Sequence, residues 1–349
     1  MKRNYEMKPL FLERMKSLFS NDKDFYSYLE ILKRETVRSF RCNTLKISIE
    51  DLKKRFEEKG WKIKQPFKNF PEIMIVEGKW EGLVNDNEPK MDNDKNSCEL
   101  KRGDNNLVDL SPGELGRALE HLLGYYYIQE IASMLPVLAL NPKGHERVLD
   151  LCASPGSKTT QIAARMSNKG LLIANEVKFG RIKILSANTE RCGVMNMLIT
   201  KRDGIALCKR LKEENFLFDK VLLDAPCSGE GTFRSAPKGL EMWNIKTIEN
   251  LSRLQKALIA SAIEILVPGG ELVYSTCTHA PEENEEIVDF ALKNFNVKIE
   301  KINLPIKTRS GITIWKEKSY SPDVKLSCRI YPQDNDTEGF FIAKIRKVK

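Results

Sequence analysis

Apolar positions along the chain change their spacing near residue 146. In residues 8–36, Leu, Phe, Met, Tyr and Ile recur at helical intervals, which predicts helix there. Val37–Cys42 reads as a strand, and residues 48–59 as a helix capped by Ser48 and ended by Gly60. Trp61–Ile63 and Ile73–Val76 predict two more short strands, so residues 1–84 form a small α+β domain. Residues 85–106 carry only Met91, Cys98 and Leu100 as clear apolar positions, the pattern of a mobile loop or insertion. From Arg147–Leu151 onward, strands alternate with helices. Helices are expected over 157–167, 178–192, 246–266 and 281–293. Strands are expected at Leu171–Ala174, Met197–Thr200, Lys220–Leu223 and Glu271–Ser275. Gly339–Ile345 reads as a last strand, paired with one near Val297–Ile302. Alternation of this kind predicts a parallel, doubly wound α/β sheet for residues 107–349. There is no internal repeat.

Composition narrows the setting. Of 349 residues, 41% are hydrophobic and 30% charged, and no apolar run approaches the roughly 20 residues of a membrane span. Met1-Lys2-Arg3-Asn4-Tyr5-Glu6 has no secretory character, so a cytoplasmic (or nuclear) monomer is expected. The net charge of +9 is uneven. Residues 1–68 hold 18 Lys/Arg against 10 Asp/Glu, and residues 293–349 hold 13 against 6. Basic ends around an acidic centre point to a polyanion held outside the chemical core; basic surface is common, and charge alone does not decide. The eight cysteines include no C-x-x-C pair and the three histidines are scattered, so no metal site is expected.

The turn after Arg147–Leu151 reads Cys152-Ala153-Ser154-Pro155-Gly156-Ser157-Lys158-Thr159. Small residues at the carboxyl end of a first strand let a nucleotide approach the backbone, and the following helix N-terminus favours a carboxylate. A phosphate-binding Walker loop would need Gly at 152 and 157, where this chain has Cys and Ser. The second strand ends in Asn175-Glu176, about 20 residues on, where an acidic side chain can hold both ribose hydroxyls of an adenosine ligand. Asp203 follows the third strand, where it can accept from an adenine amino group. The series of turn, Glu176, Asp203 and Asp224 predicts S-adenosylmethionine as cofactor.

Two thiols then define the reaction. Asp224-Ala225-Pro226-Cys227-Ser228-Gly229 ends the fourth strand, and Ser275-Thr276-Cys277 ends the fifth. In an open α/β sheet both ends open into one crevice. Singly, each is readily a buried inert thiol; together beside the cofactor turn they suit cytosine chemistry. Carbon 5 of cytosine is a poor nucleophile until a thiolate adds to carbon 6 and makes the ring an enamine. A carboxyl group near ring nitrogen 3 stabilises the developing charge, and Asp224 is the candidate.

With these motifs the sequence resembles the RNA cytosine-5 methyltransferases of the Nol/Nop/Sun family, from about Phe40 to the C-terminus. The segments CASPGSKT, DAPCSG and STC carry most of the resemblance. Arg41-Cys42-Asn43-Thr44-Leu45 and Gly339-Phe340-Phe341 extend it. The resemblance implies a Rossmann-like methyltransferase sheet with an N-terminal α+β RNA-binding domain, acting on transfer or ribosomal RNA; the lack of long basic tails favours transfer RNA slightly. It implies that Cys277 is the nucleophile, that Cys227 assists release, and that Lys158 lies near the catalytic pocket. Cofactor contacts are implied for Cys152, Ala153, Ser154, Pro155, Gly156, Ser157, Lys158, Glu176, Arg181, Asp203 and Asp224. Ser157 departs from the family's usual second Gly in the turn, and Glu176 stands where Asp is also frequent. DNA cytosine-5 methyltransferases attack with the cysteine after a proline, like Cys227, so the division of roles rests on resemblance alone.

Two other readings compete. An exocyclic amino-methyltransferase usually ends its fourth strand N/D-P-P-Y/F/W, which Pro226-Cys227 does not match, and it leaves Cys277 idle. A non-catalytic RNA-binding or ribosome-assembly factor with this fold has no need of Asp224, Cys227 and Cys277 together.

Overall fold

The computed structural model describes residues 7–80 and 106–348; apart from Asn106, the expected loop at 85–106 lies outside them. The chain divides into two compact units, Val37–Ile128 and the combination of Met1–Thr36 with Gln129–Lys349.

The larger unit begins with helices α1 (Pro9–Leu18) and α2 (Asp22–Leu32). Pro9 sits at the helix start, and the Asn21 side chain caps α2 through the Asp24 amide (2.9 Å). Their apolar faces bury Phe11, Met15, Phe19, Phe25 and Tyr28 against Phe233, Trp243 and Tyr331. Arg14 adds a bidentate pair with Glu282 (3.0 and 2.8 Å). The expected first domain, 1–84, is corrected by this packing: the N-terminal helices have their hydrophobic partners in the larger unit.

The smaller unit is an antiparallel sheet built from β1 (Arg38–Cys42), β2 (Trp61–Lys64), β3 (Ile73–Trp80), β4 (Leu107–Val108) and β5 (Tyr126–Ile128). Its path runs β2-β3-β1-β5, with β4 on β3. Helix α3 (Ile49–Glu58) starts where Ser48 accepts from the Asp51 amide (3.0 Å) and ends at Gly60, whose φ is +71°. Short helices α4 (Glu114–Arg117) and α5 (Leu119–Leu122) precede β5. The core joins Phe40, Phe56, Trp61 and Tyr126. Because β5 pairs with β1, residues 107–128 belong here and not to the methyltransferase domain expected from 107.

In the larger unit α6 (Ile131–Leu140) leads to the central sheet, which runs through β6 (Arg147–Asp150), α7 (Ser157–Arg165), β7 (Leu171–Asn175), α8 (Phe179–Arg191), β8 (Met197–Thr200), α9 (Gly204–Glu213) and β9 (Phe218–Asp224). It continues with α10 (Gly239–Met242), α11 (Ile245–Glu264), β10 (Leu266–Thr276), α12 (Glu285–Asn294), β11 (Val297–Glu300) and β12 (Arg309–Ser310). A hairpin of β13 (Ile314–Trp315) and β14 (Lys318–Ser319), then β15 (Cys328–Ile330), α13 (Pro332–Asn335) and β16 (Phe340–Lys347), close the chain. Strand order is β12-β15-β16-β10-β9-β6-β7-β8, with β11 on β16. Strands β10, β9, β6, β7 and β8 are parallel; β16 is antiparallel to β10 and to β11. This is the expected Rossmann-like sheet. Chain direction across the sheet reverses between β6 and β9, so a ligand crevice opens at their carboxyl ends. Helix 281–293 starts late, at Glu285, because Pro281–Asn284 makes a turn closed by Asn284 N donating to Pro281 O (3.2 Å).

Candidate active site

The turn after β6 is held from three sides. Ala153 N donates to Asn175 O (2.8 Å), Asn188 Nδ2 donates to Pro155 O (2.9 Å), and Ser154 Oγ donates to Arg181 O (3.0 Å). Gly156 turns the chain into α7 at φ +102°, where a Cβ would sit 3.1 Å from Leu185. Glycine alone suits both demands. The start of α7 is thereby placed at the switch point, where helix-terminal amides favour a carboxylate.

Acidic side chains line up along the strand ends. Asp150, fully buried, accepts from Thr159 Oγ1 through Oδ2 (2.7 Å), while its Oδ1 has no partner among the described residues. Burial raises its carboxyl to about 7 against the Thr159 bond, and the Asp224 charge adds to the rise. Glu176, also buried, accepts from Lys178 N (2.8 Å) and lies 3.5 Å from Arg181 Nε. Arg181 Nη2 in turn donates to Ser154 O (2.5 Å), so Arg181 braces the turn against Glu176. Asp203 is exposed and has a second duty, capping α9 through the amides of Ile205 and Ala206 (3.1 and 3.0 Å). An orphaned buried acceptor, a glycine cradle and acidic groups ending β6, β7 and β8 fit S-adenosylmethionine, which offers an ammonium, ribose hydroxyls and an adenine amine. Burial first, then Asp150, Asp224 and Glu176, push the Cys152 thiol well up.

Beside this pocket Lys158 Nζ lies 2.7 Å from Asp224 Oδ2 and donates to Ser133 Oγ (3.0 Å). The Phe340 ring packs 5.2 Å from the same ammonium. Ser275 Oγ donates to Asp224 Oδ1 (2.7 Å). The two cysteines meet three residues beyond Asp224 and two beyond Ser275, with Cys227 Sγ 3.2 Å from Cys277 Sγ. Contact with Cys277, then burial, push the Cys227 thiol well above its ordinary range. Below them, Ser228 Oγ bonds Thr278 Oγ1 (2.8 Å), which donates to Glu230 (3.1 Å).

The structure thus gathers Lys158, Asp224, Cys227 and Cys277, and separately Cys152–Ser157, Glu176 and Arg181. Sequence reasoning did not single out Asp150, Ser133 or Ser275, which contact these residues. For Asp150 a signal existed: one acid inside the apolar run Arg147-Val148-Leu149-Asp150-Leu151.

A family described as 16S rRNA methyltransferase RsmB/F matches residues 137–346. The tRNA (cytosine(49)-C(5))-methyltransferase of Pyrococcus abyssi is 41% identical over 331 residues, 95% of this chain and 94% of that protein. The ribosomal RNA small subunit methyltransferase F of Vibrio parahaemolyticus is 38% identical over 97% of this chain but only 62% of that protein. NSun6 from Pyrococcus horikoshii, solved with SFG, superposes with a TM-score of 0.77 at 29% identity, covering 98% of each chain. The chain belongs to the 16S rRNA methyltransferase RsmB/F family, the S-adenosylmethionine-dependent RNA cytosine-5 methyltransferases.

Proposed function

We propose that the protein methylates carbon 5 of a cytosine in transfer RNA, with Cys277 attacking carbon 6 and Cys227 driving release of the product. The observation that carries this is the pair of thiols 3.2 Å apart at the ends of adjacent strands, beside the Lys158–Asp224 ion pair. The cofactor supplies an electrophilic methyl group on a sulfonium. Lys158 and Asp224 hold a proton donor and a counter-charge where ring nitrogen 3 gains electrons during addition. Glu176, Asp203 and the 152–158 turn hold the cofactor, and Arg181 positions Glu176. Transfer RNA is favoured because the relative named for it matches over 94% of its own length, the ribosomal one over 62%. The protein acts as a cytoplasmic monomer in this reading.

The test is transfer of labelled methyl from S-adenosylmethionine to purified transfer and ribosomal RNA, followed by nuclease digestion and mass spectrometry. 5-Methylcytidine in transfer RNA is expected. Label confined to 16S RNA overturns the substrate, and an N-methyl product overturns the reaction.

Cofactor affinity falls roughly ten- to a hundredfold in Glu176→Ala, since a charge-assisted hydrogen bond to a buried ligand is worth about 1.5–3 kcal/mol. Asp203→Ala also removes the cap of α9, worth about 1 kcal/mol of stability. Asp203→Asn keeps the cap and isolates the cofactor contact. Wild-type affinity in both Glu176→Ala and Asp203→Asn by calorimetry would misplace the pocket.

The Val37–Ile128 unit is the RNA-binding part of this proposal. Residues 37–68 carry 10 Lys/Arg against 4 Asp/Glu, and Lys54, Lys64 and Lys68 are exposed. Replacing these three by Ala weakens RNA binding and flattens its salt dependence, by about 0.7–0.9 in log–log slope for each phosphate no longer neutralised. An unchanged slope argues that RNA lies elsewhere.

A further inference from the structure

The turn between β10 and α12 buries a carboxyl group that none of these roles uses. Glu283 is 0% exposed. Its Oε2 accepts from Ser228 N (3.0 Å) and from Gln255 Nε2 (2.8 Å), and the same Gln255 nitrogen donates to Pro226 O (2.8 Å). Both neighbours of Cys227 in the chain are therefore tied to one carboxylate, Ser228 directly and Pro226 through Gln255. The other oxygen, Oε1, has no hydrogen-bond partner among the described residues, and Glu283 makes no ion pair among them. Arg14, the cation whose field reaches it, is committed to Glu282. Among the described residues, the other titratable groups whose fields meet Glu283 include Glu230, held by Trp243 Nε1 (2.7 Å) and Thr278, then Tyr274, which also faces Asp224, and Cys227 with Cys277 in contact behind it.

We propose that Glu283 is a positioning residue that decides which thiol ionises: its uncompensated carboxylate, fixed behind Cys227, keeps that thiol protonated and leaves Cys277 to become the attacking thiolate. Two thiols in contact share at most one negative charge, and a like charge beside one of them sends it to the other. The Cys227 thiol is raised first by its contact with Cys277, then by burial, and the charges of Cys277 and Glu283 add to this. Once Cys277 has become a thioether its charge is gone. The largest barrier to ionising Cys227 goes with it, and Cys227 can then serve the release step. The inference rests on the proposed roles of the two cysteines and supplies the physical reason for them.

Burial raises the Glu283 carboxyl to about 7, against the bonds from Ser228 and Gln255. The carboxylate is thus charged above that pH and neutral below it, so its influence on Cys227 switches on as pH rises through about 7. The experiment is alkylation of the full chain by iodoacetamide, without RNA, from about pH 6 to about pH 9, with each cysteine quantified by peptide mass spectrometry. In the wild type Cys277 labels faster than Cys227. In Glu283→Gln, which keeps the shape and an acceptor, Cys227 labelling rises about three- to tenfold at the alkaline end and little at the acid end. Glu283→Asp, which keeps the charge, stays near the wild-type ratio. A structural role alone does not produce this pH dependence. Cys227 labelling in a folded Glu283→Gln variant within about twofold of wild type at every pH overturns the proposal. Should that variant not fold, the wild-type profile decides: the Cys277-to-Cys227 ratio must climb through about pH 7, and a flat ratio overturns it. Cys227 labelling faster than Cys277 in the wild type instead overturns the assignment of the nucleophile, while the effect of Glu283 remains readable from the variant.

Discussion

Cys277→Ala loses essentially all methyl transfer, at least about 10⁴-fold, while Cys227→Ala accumulates as a protein–RNA adduct that survives denaturation. The expectation follows from two thiols 3.2 Å apart, where one nucleophile suffices for attack. Without Cys277, carbon 5 is never activated and no adduct forms. Without Cys227, attack and methylation proceed, but the methylated ring still carries a proton on carbon 5 and a thioether on carbon 6. Release needs that proton removed and the carbon–sulfur bond broken, and the group next to the sulfur is missing. Denaturing electrophoresis with labelled RNA and cofactor reads both results. A slow-migrating band from Cys227→Ala, absent from Cys277→Ala and from the double variant, is expected. A band found only in Cys277→Ala reverses the roles and makes Cys227 the nucleophile.

Much of the catalytic unit was legible because its signals are local. The alternation of strand and helix periods gives β6 to β10, and the strand-end positions of the turn, Asp224, Cys227 and Cys277 follow from it. Where burial depends on distant partners, the reading failed. An amphipathic pattern over residues 8–36 says that one face is covered, not that Phe233, Trp243 and Tyr331 cover it. Likewise, nothing near Tyr126 announces its pairing with Cys42. The run Glu282-Glu283-Asn284-Glu285-Glu286 looks like a solvated helix start, yet Glu283, Asn284 and Glu285 are fully buried. Gln255 takes up Glu283 and Arg329 forms a bidentate pair with Glu285 (2.6 Å each). These partners lie 28 and 44 residues away in sequence. Asp203 carried a correct strand-end position, but its capping of α9 became visible only with the helix itself.

Lys158→Ala and Asp224→Ala each slow single-turnover methyl transfer about 10²–10³-fold, and the double variant is no slower than the slower single. Their side chains are 9% and 28% exposed and meet at 2.7 Å, so neither is simply a surface charge. Removing Asp224 leaves the ammonium without its counter-charge, held by Ser133 Oγ and the Phe340 ring. Removing Lys158 leaves Asp150 and Asp224 as facing carboxyl groups. The lysine opposes, and Asp224 adds to, the rise of the Asp150 carboxyl, so that rise grows and Asp150 stays protonated to higher pH. In Lys158→Ala the survivor is a carboxylate that opposes the electrons nitrogen 3 gains, and in Asp224→Ala the ammonium has lost the carboxylate that holds it in place, so losing the second group then costs little more. Groups that act as a unit show this non-additivity. Single-turnover rates at saturating cofactor and RNA, with affinities measured separately, check it. If the losses multiply in the double variant, the two side chains work independently; if either single keeps the wild-type rate, that residue has no part in the chemical step.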